Sequence, residues 1–344
     1  MGTVESLEYS ELAEQCEKNP PNADVLNTIQ RAFGQSGKGL IIVNNIPQLQ
    51  SARNSLFASA VSLANLRSSE LASLEDPSSS YLFGWALGKE NPSGKSGSKD
   101  TSKASFYANP FADDNGSRDS DMHRYPSLAR PNRWPRDSLP QLEPAFKRAA
   151  SILRDTGEKV ALLCDWLAAP DGEAGSLQRR VSSLLRSPEA HKGRLLTYFP
   201  QQGGEHCQLH RDHSVLTGLC KPRFSSRTTG EEVPPPDADA GLYIRERDGS
   251  DCKVTYPVTS AIFQLGEAAQ IVSGGTLEST PHYVAAPKVL DDDSSIRNAF
   301  ALFMQPHWST KLDPPPGIST TGVAHYVAGN TFGEFSETKC AEYY

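Results

Sequence analysis

The sequence predicts a mainly β fold of the α+β class, with helices packed in front of the strands. Three observations carry this. Beyond Arg194 the chain breaks into eight short β-like runs separated by turns, a spacing that suggests a sandwich or barrel. Ahead of them, long stretches repeat apolar residues at helical spacing. Between the two textures lie polar segments rich in Ser, Gly and Pro.

Taken in order, residues 24–34 read as a short helix. Asp24 is the expected N-cap, Val25, Leu26, Ile29 and Phe33 form the stripe, and Gly34 stops it. The apolar run 39–43 is expected as a buried strand. Pro47 opens a helix to Leu66 carrying Leu49, Ala52, Leu56, Ala60 and Leu63. From Arg67 to Ser120 the periodicity fails, and 92–103 reads as a surface loop. Two aromatic clusters, 81–85 and 105–110, must pack on something. They either dock on the barrel wall or place Trp85, Tyr107 or Asn109 in a pocket. The Pro-rich stretch 126–140 is extended. Leu142 to Leu167 is the longest helical signal, ended by Pro170, and a shorter helix is expected at 176–186. The β-like runs are 194–199, 206–219, 241–246, 253–258, 260–264, 270–273, 282–286 and 297–305, with a loop at 225–239. Residues 310–344 are polar loop with a short helical tail. No internal repeat is evident.

At 344 residues the chain is long enough for one large domain or two ordinary ones. The expected division is 1–190, helical and looped; 191–310, the β core; and 311–344, a tail packing back. A net charge of −7 argues against a nucleic-acid binder. No stretch approaches the roughly 18 apolar residues of a membrane span. Six scattered cysteines form no CxxC pair, which argues against zinc fingers and disulfide frameworks. Cys207 is read as a small strand residue. The N-terminus lacks the basic and apolar regions of a secretory signal, so a cytoplasmic location is expected. Met1-Gly2 with Ser6 fits the permissive myristoylation pattern.

The chemistry centres on Leu195 to Leu219. If 208–216 is a strand, His210 and Asp212 share a face and Arg211 points away. His282 lies further on, after Gly266, Gln270 and Ser273-Gly274-Gly275. Two imidazoles and one carboxylate make the facial metal site of non-haem Fe(II) oxygenases, which leaves coordination positions open. Arg297 opens the strand RNAFALFMQP and offers a bidentate partner for a carboxylate. His206 shares parity with the ligands, whereas His213 faces away.

This pattern resembles the Fe(II)- and 2-oxoglutarate-dependent dioxygenase superfamily, within it the plant-type group of isopenicillin N synthase. The residues carrying the resemblance are His210-Arg211-Asp212, Leu216-Thr217, Gly241-Leu242, Gly266-Glu267, Ser273-Gly274-Gly275, Ser279, His282 and Arg297-Asn298-Ala299. Segments such as FGWALGKE, LLTYFP and GLYIRERDG look like a poorly assigned branch of plants, algae and protists. The resemblance implies a double-stranded β-helix, or jelly roll, with the metal triad at its open end. It implies Fe(II), with 2-oxoglutarate and O2 as co-substrates, and oxidation of a small organic substrate with release of succinate and CO2. Arg297 would hold the far carboxylate of 2-oxoglutarate. The family's co-substrate tyrosine aligns with Phe199, which has no hydroxyl, so Tyr198 is the neighbouring substitute. Ala299 stands where the family's Arg-x-Ser has its serine. Two alternatives stay open: a metal- or ligand-binding protein without turnover, and an oxidase of the same fold that does not use 2-oxoglutarate. Neither the substrate nor the oligomeric state is legible.

Overall fold

The computed structural model describes residues 4–90, 100–114, 117–168, 181–201, 203–288, 295–316 and 322–342. The elements that precede the core are β1 (Ser6–Glu8), α1 (Tyr9–Cys16), α2 (Ala23–Phe33), β2 (Leu40–Asn44), α3 (Leu49–Ala64), α4 (Ser68–Ser73), β3 (Gly84–Leu87), β4 (Lys103–Ala108), α5 (Asp119–Arg124) and α6 (Leu142–Ala168). Then come β5 (Lys192–Tyr198), β6 (Glu205–His210), β7 (Leu216–Ser226), β8 (Gly241–Arg245), β9 (Asp251–Lys253), β10 (Ala261–Leu265), α7 (Glu267–Val272), β11 (His282–Ala285), β12 (Ser295–Met304) and α8 (Phe332–Cys340).

The strands form two sheets. The larger runs β1-β2-β10-β7-β12-β5-β4-β3, and the smaller β6-β11-β8-β9. Every pairing is antiparallel except β1 with β2. Two facing sheets with consecutive strands divided between them are consistent with a jelly-roll core. Leu40, Ile42 and Ile262 of the larger sheet meet Ile244 and the nearby Val254 and Tyr256 across the sandwich.

The opposite face of the larger sheet is covered by α6. Phe146, Ala149, Leu153, Val160 and Leu163 are all buried along it. Full burial of each Phe or Leu contributes about 2–3 kcal/mol. Gly157 sits within the continuous helix, where a Cβ would lie 2.5 Å from Met304 and 3.2 Å from Phe263. The glycine lets helix and sheet approach closely, at a cost of about 1 kcal/mol in helix propensity.

Several sequence expectations change. The helix at 24–34 begins one residue earlier and is N-capped by Asn22, not Asp24. The single run 206–219 is two strands in different sheets, β6 and β7, so the postulated strand 208–216 does not exist. The run 270–273 lies on and just beyond helix α7: its glutamine and alanine neighbours favour a helix, and burial there on all sides hides the period. Of 253–258 only Lys253 is in a strand. The loop 225–239 starts later, since β7 continues to Ser226. The aromatic clusters supply strands β3 and β4, which extend the larger sheet beyond β5. In 176–186, Ser182–Leu185 forms a 3-10 turn and residues up to 180 lie outside the described residues. So do Gly2, Pro170 and most of the 92–103 loop. No described helix is long and apolar enough to cross a membrane.

Candidate metal centre

His210 ends β6 and His282 begins β11, and the two are directly opposite in the antiparallel register. Their rings therefore sit side by side, with centroids 4.3 Å apart. Asp212 lies two residues past the end of β6. The alternation argument that linked it to His210 fails, yet the chain turns so that its carboxylate reaches both rings. Asp212 Oδ1 is 3.6 Å from His210 Nε2 and 3.8 Å from His282 Nε2. One ligand atom from each residue lies within 4.8 Å of the others. A carboxylate and two imidazoles at this separation are a donor set for a divalent first-row metal.

The scaffold of Asp212 explains the glycine signature after β10. The backbone N–H groups of Gly266, Glu267 and Ala268 donate to the carbonyls of Val215, Asp212 and Ser214 at 3.0, 2.8 and 3.2 Å. A Cβ on Gly266 would lie 1.9 Å from the Ser214 carbonyl oxygen, so no other residue permits this approach. Thr217 Oγ1 donates to Asp212 Oδ2 at 2.6 Å and fixes the carboxylate rotamer. On the His282 side, Gln270 Oε1 accepts from the Ser279 N–H and hydroxyl at 3.0 and 2.7 Å. That ties α7 to the segment entering β11.

Electrostatics match the donor set at Asp212 and His282, whereas His210, although burial opposes it, is raised well above its ordinary value by Cys207 and Asp212, so a metal must displace its proton. Burial pushes the Asp212 carboxyl up, but His282, His210 and the Thr217 hydroxyl outweigh it and hold the group well below the ordinary carboxylate range. Burial, reinforced by His210, pulls His282 down to about 4, so its ring is neutral and ready to donate a lone pair. His210 Nδ1 lies 2.7 Å from the Gln208 carbonyl, a contact that leaves Nε2 facing Asp212.

A cavity of about 470 Å³ opens beside the three residues, between the sheets. Arg297 and Tyr198 line it. They are register partners on β12 and β5, and the guanidinium lies 5.0 Å from the Tyr198 ring centroid. Arg297 is 4% exposed, and its Nη1 has no hydrogen-bond partner among the described residues. A buried guanidinium nitrogen left unpaired in a cavity wall is a fit for an incoming carboxylate. Ala299 lies on the same wall. Phe199 lies outside the cavity wall and packs with the Arg227 guanidinium, 5.7 Å from its ring centroid.

The other candidates separate. His206 is buried and stacked on Tyr198 at 4.9 Å. Burial, then Arg297, lowers it to about 4. His213 turns to the tail, its Nε2 3.1 Å from Ser336 Oγ on α8. Cys207 Sγ lies 3.8 Å from His210 Nδ1. Tyr107 lines a second cavity, whereas the Asn109 side chain is used up by the backbones of Pro188, Glu189, Phe111 and Ala112. Trp85 is a buried core residue. Sequence reasoning missed Thr217 as the brace of Asp212. It also missed the inward cations Lys192 and Arg194, whose period-two spacing beside apolar Leu195 and Leu196 was a readable signal.

No protein-family model and no curated protein matches the chain. Solved structures do. A 2OG-Fe(II) oxygenase family protein from Caulobacter crescentus superposes with a TM-score of 0.71 at 16% identity, covering 99% of each chain. A full-length Neurospora crassa protein in complex with alpha-KG and 5-formyluracil gives 0.66 at 16% identity, over 98% of this chain and 96% of that one. The rice dioxygenase for auxin oxidation gives 0.59 at 16% identity, over 98% and 95%. The chain thus has the fold of the Fe(II)- and 2-oxoglutarate-dependent oxygenase superfamily.

Proposed function

We propose that this chain is an Fe(II)- and 2-oxoglutarate-dependent oxygenase that oxidises a small organic substrate and releases succinate and CO2. The observation that carries the reading is one cavity lined both by a His-Asp-His group and by a buried arginine with an unpaired nitrogen. His210, Asp212 and His282 hold the metal. Arg297 takes the distal carboxylate of 2-oxoglutarate, and Tyr198 supports the guanidinium through its ring face. Bound Fe(II) supplies the site for 2-oxoglutarate and O2 and the oxidising power toward a C–H bond. Thr217 keeps one Asp212 oxygen engaged so that the other is presented to the metal. The motif set supports membership of the isopenicillin N synthase-like group. Residues 1–190 flank a double-stranded β-helix at 191–310, and 311–344 packs back on it. The likeness of fold to oxygenases, including one bound to alpha-KG, supports the class.

The test is anaerobic reconstitution with Fe(II) followed by 2-oxoglutarate titration, read by the weak visible charge-transfer band of the chelate. Wild type develops the band. His210→Ala and Asp212→Ala lose iron and the band. Arg297→Ala weakens 2-oxoglutarate by about 2–3 kcal/mol, roughly 30- to 150-fold. Iron binding without a band would overturn the reading and leave the 2-oxoglutarate-independent oxidase or the binding protein, which substrate-dependent O2 consumption separates.

A further inference from the structure

His210 and Asp212 of the triad also front a second cavity of about 130 Å³, which shares Cys207, Arg194 and Phe303 with the first as well, but neither His282 nor Arg297. Its walls hold four poorly exposed cations, Lys103, Lys192, Arg194 and Lys339. Three of them have carboxylate partners. Glu90 meets Lys103 at 2.7 Å and also pairs with Arg194, and Glu267 lies 3.1 Å from Lys339.

Lys192 differs. It opens β5, is 6% exposed, and has no carboxylate within ion-pair distance among the described residues. Its ammonium donates to the Ser127 carbonyl and lies 4.5 Å from the Phe83 ring centroid. An ammonium has three donors, and a buried charge without a counter-charge is unfavourable. Burial pulls Lys192 down to about 8, with Cys340 and Glu337 acting the other way. A second polar point on this wall is Gln305, which is 3% exposed and whose Oε1 has no hydrogen-bond partner among the described residues.

Resting on the oxygenase reading above, we infer that this cavity is the substrate chamber and that the substrate is a small organic acid whose carboxylate lies against Lys192. The acid completes the pair that the protein leaves open, and the shared wall of His210 and Asp212 brings the rest of the molecule to the metal. Gln305 Oε1 offers an acceptor to a hydroxyl or N–H of the same substrate. Arg297 serves the co-substrate in the other cavity, so the two anions do not compete for one cation.

The test uses the full chain loaded anaerobically with Fe(II) and 2-oxoglutarate, the absorbance band reporting loading. Two acid and amide pairs are titrated, phenylacetate with phenylacetamide and benzoate with benzamide. Each pair matches in shape and differs in charge. The expected result is that an acid binds at least tenfold more tightly than its amide, read by calorimetry and by perturbation of the band. Lys192→Met abolishes that preference and Lys192→Arg retains it. Equal binding of acid and amide, no binding of either acid to the loaded protein, or a full preference in Lys192→Met overturns the inference. The wild-type comparison decides even where a variant does not fold. Absence of the band refutes the oxygenase reading separately, and the acid preference is then read on the Fe(II)-loaded chain by calorimetry alone.

Discussion

Thr217 shows how much a single hydroxyl carries. Its 2.6 Å hydrogen bond is the contact that orients Asp212, and Ser214 Oγ lies 3.0 Å behind it. Thr217→Val keeps the shape and removes the donor. Metal affinity is expected to fall roughly 10- to 100-fold, the range for losing a partner that orients a ligand. A competition titration with Fe(II) checks this, and unchanged affinity would show that Asp212 needs no brace. At this scale the sequence was informative about ligand type. His210, Asp212, His282 and Arg297 are chemically distinctive, and all four line one cavity. Thr217 entered only as a motif residue without a role, and Lys192 was not singled out, because a lysine or threonine takes its meaning from what surrounds it.

Among the elements, α7 and the strand before it act as a clamp on the 212–215 turn. Three successive N–H groups at 266–268 hold three carbonyls of that turn. Gly266→Ala puts a methyl 1.9 Å from a backbone oxygen, so either the turn or α7 must move. The expected cost is about 3 kcal/mol, at the upper end for overpacking, together with weakened metal binding. Denaturant unfolding and metal titration measure the two effects. A stable variant with full metal affinity would contradict the clamp. The sequence showed Gly266, Gln270 and Ser279 as a pattern but read 270–273 as a strand. Local composition did not reveal that Gln270 reaches across to Ser279. Likewise β3 and β4 look like isolated aromatic patches until β5 is seen to pair with β4.

Over the whole molecule, His191 links the sheet to its surroundings and, with the likewise lowered His206, His213 and His282, contributes to an acid limit. It is 1% exposed, and its Nδ1 accepts the Gln305 N–H at 3.1 Å. Burial, with Arg154 nearby, lowers it to about 4 from the ordinary 6.5. The unfolded chain therefore binds more protons than the folded one between those values. Its contribution to stability is full above about pH 6.5, declines as pH falls, and is gone near pH 4. That window is worth about 3 kcal/mol. His191→Gln is expected to reduce the slope of unfolding free energy between pH 6.5 and 4 by the share of one proton, the other lowered histidines keeping theirs. An unaltered slope would assign the acid sensitivity to other groups.

The sequence by itself determined the candidate donor set, the long helix α6, and the mixture of helices with a β core. Ligand chemistry belongs to a residue type, and helical periodicity is written within a few turns of chain. Only the tertiary structure decided that His210 lies across from His282, that the 206–219 run divides between two sheets, and that Lys192 is buried without a carboxylate partner among the described residues. Each of these depends on pairings between strands far apart in the chain, and no local pattern encodes which strand becomes whose neighbour.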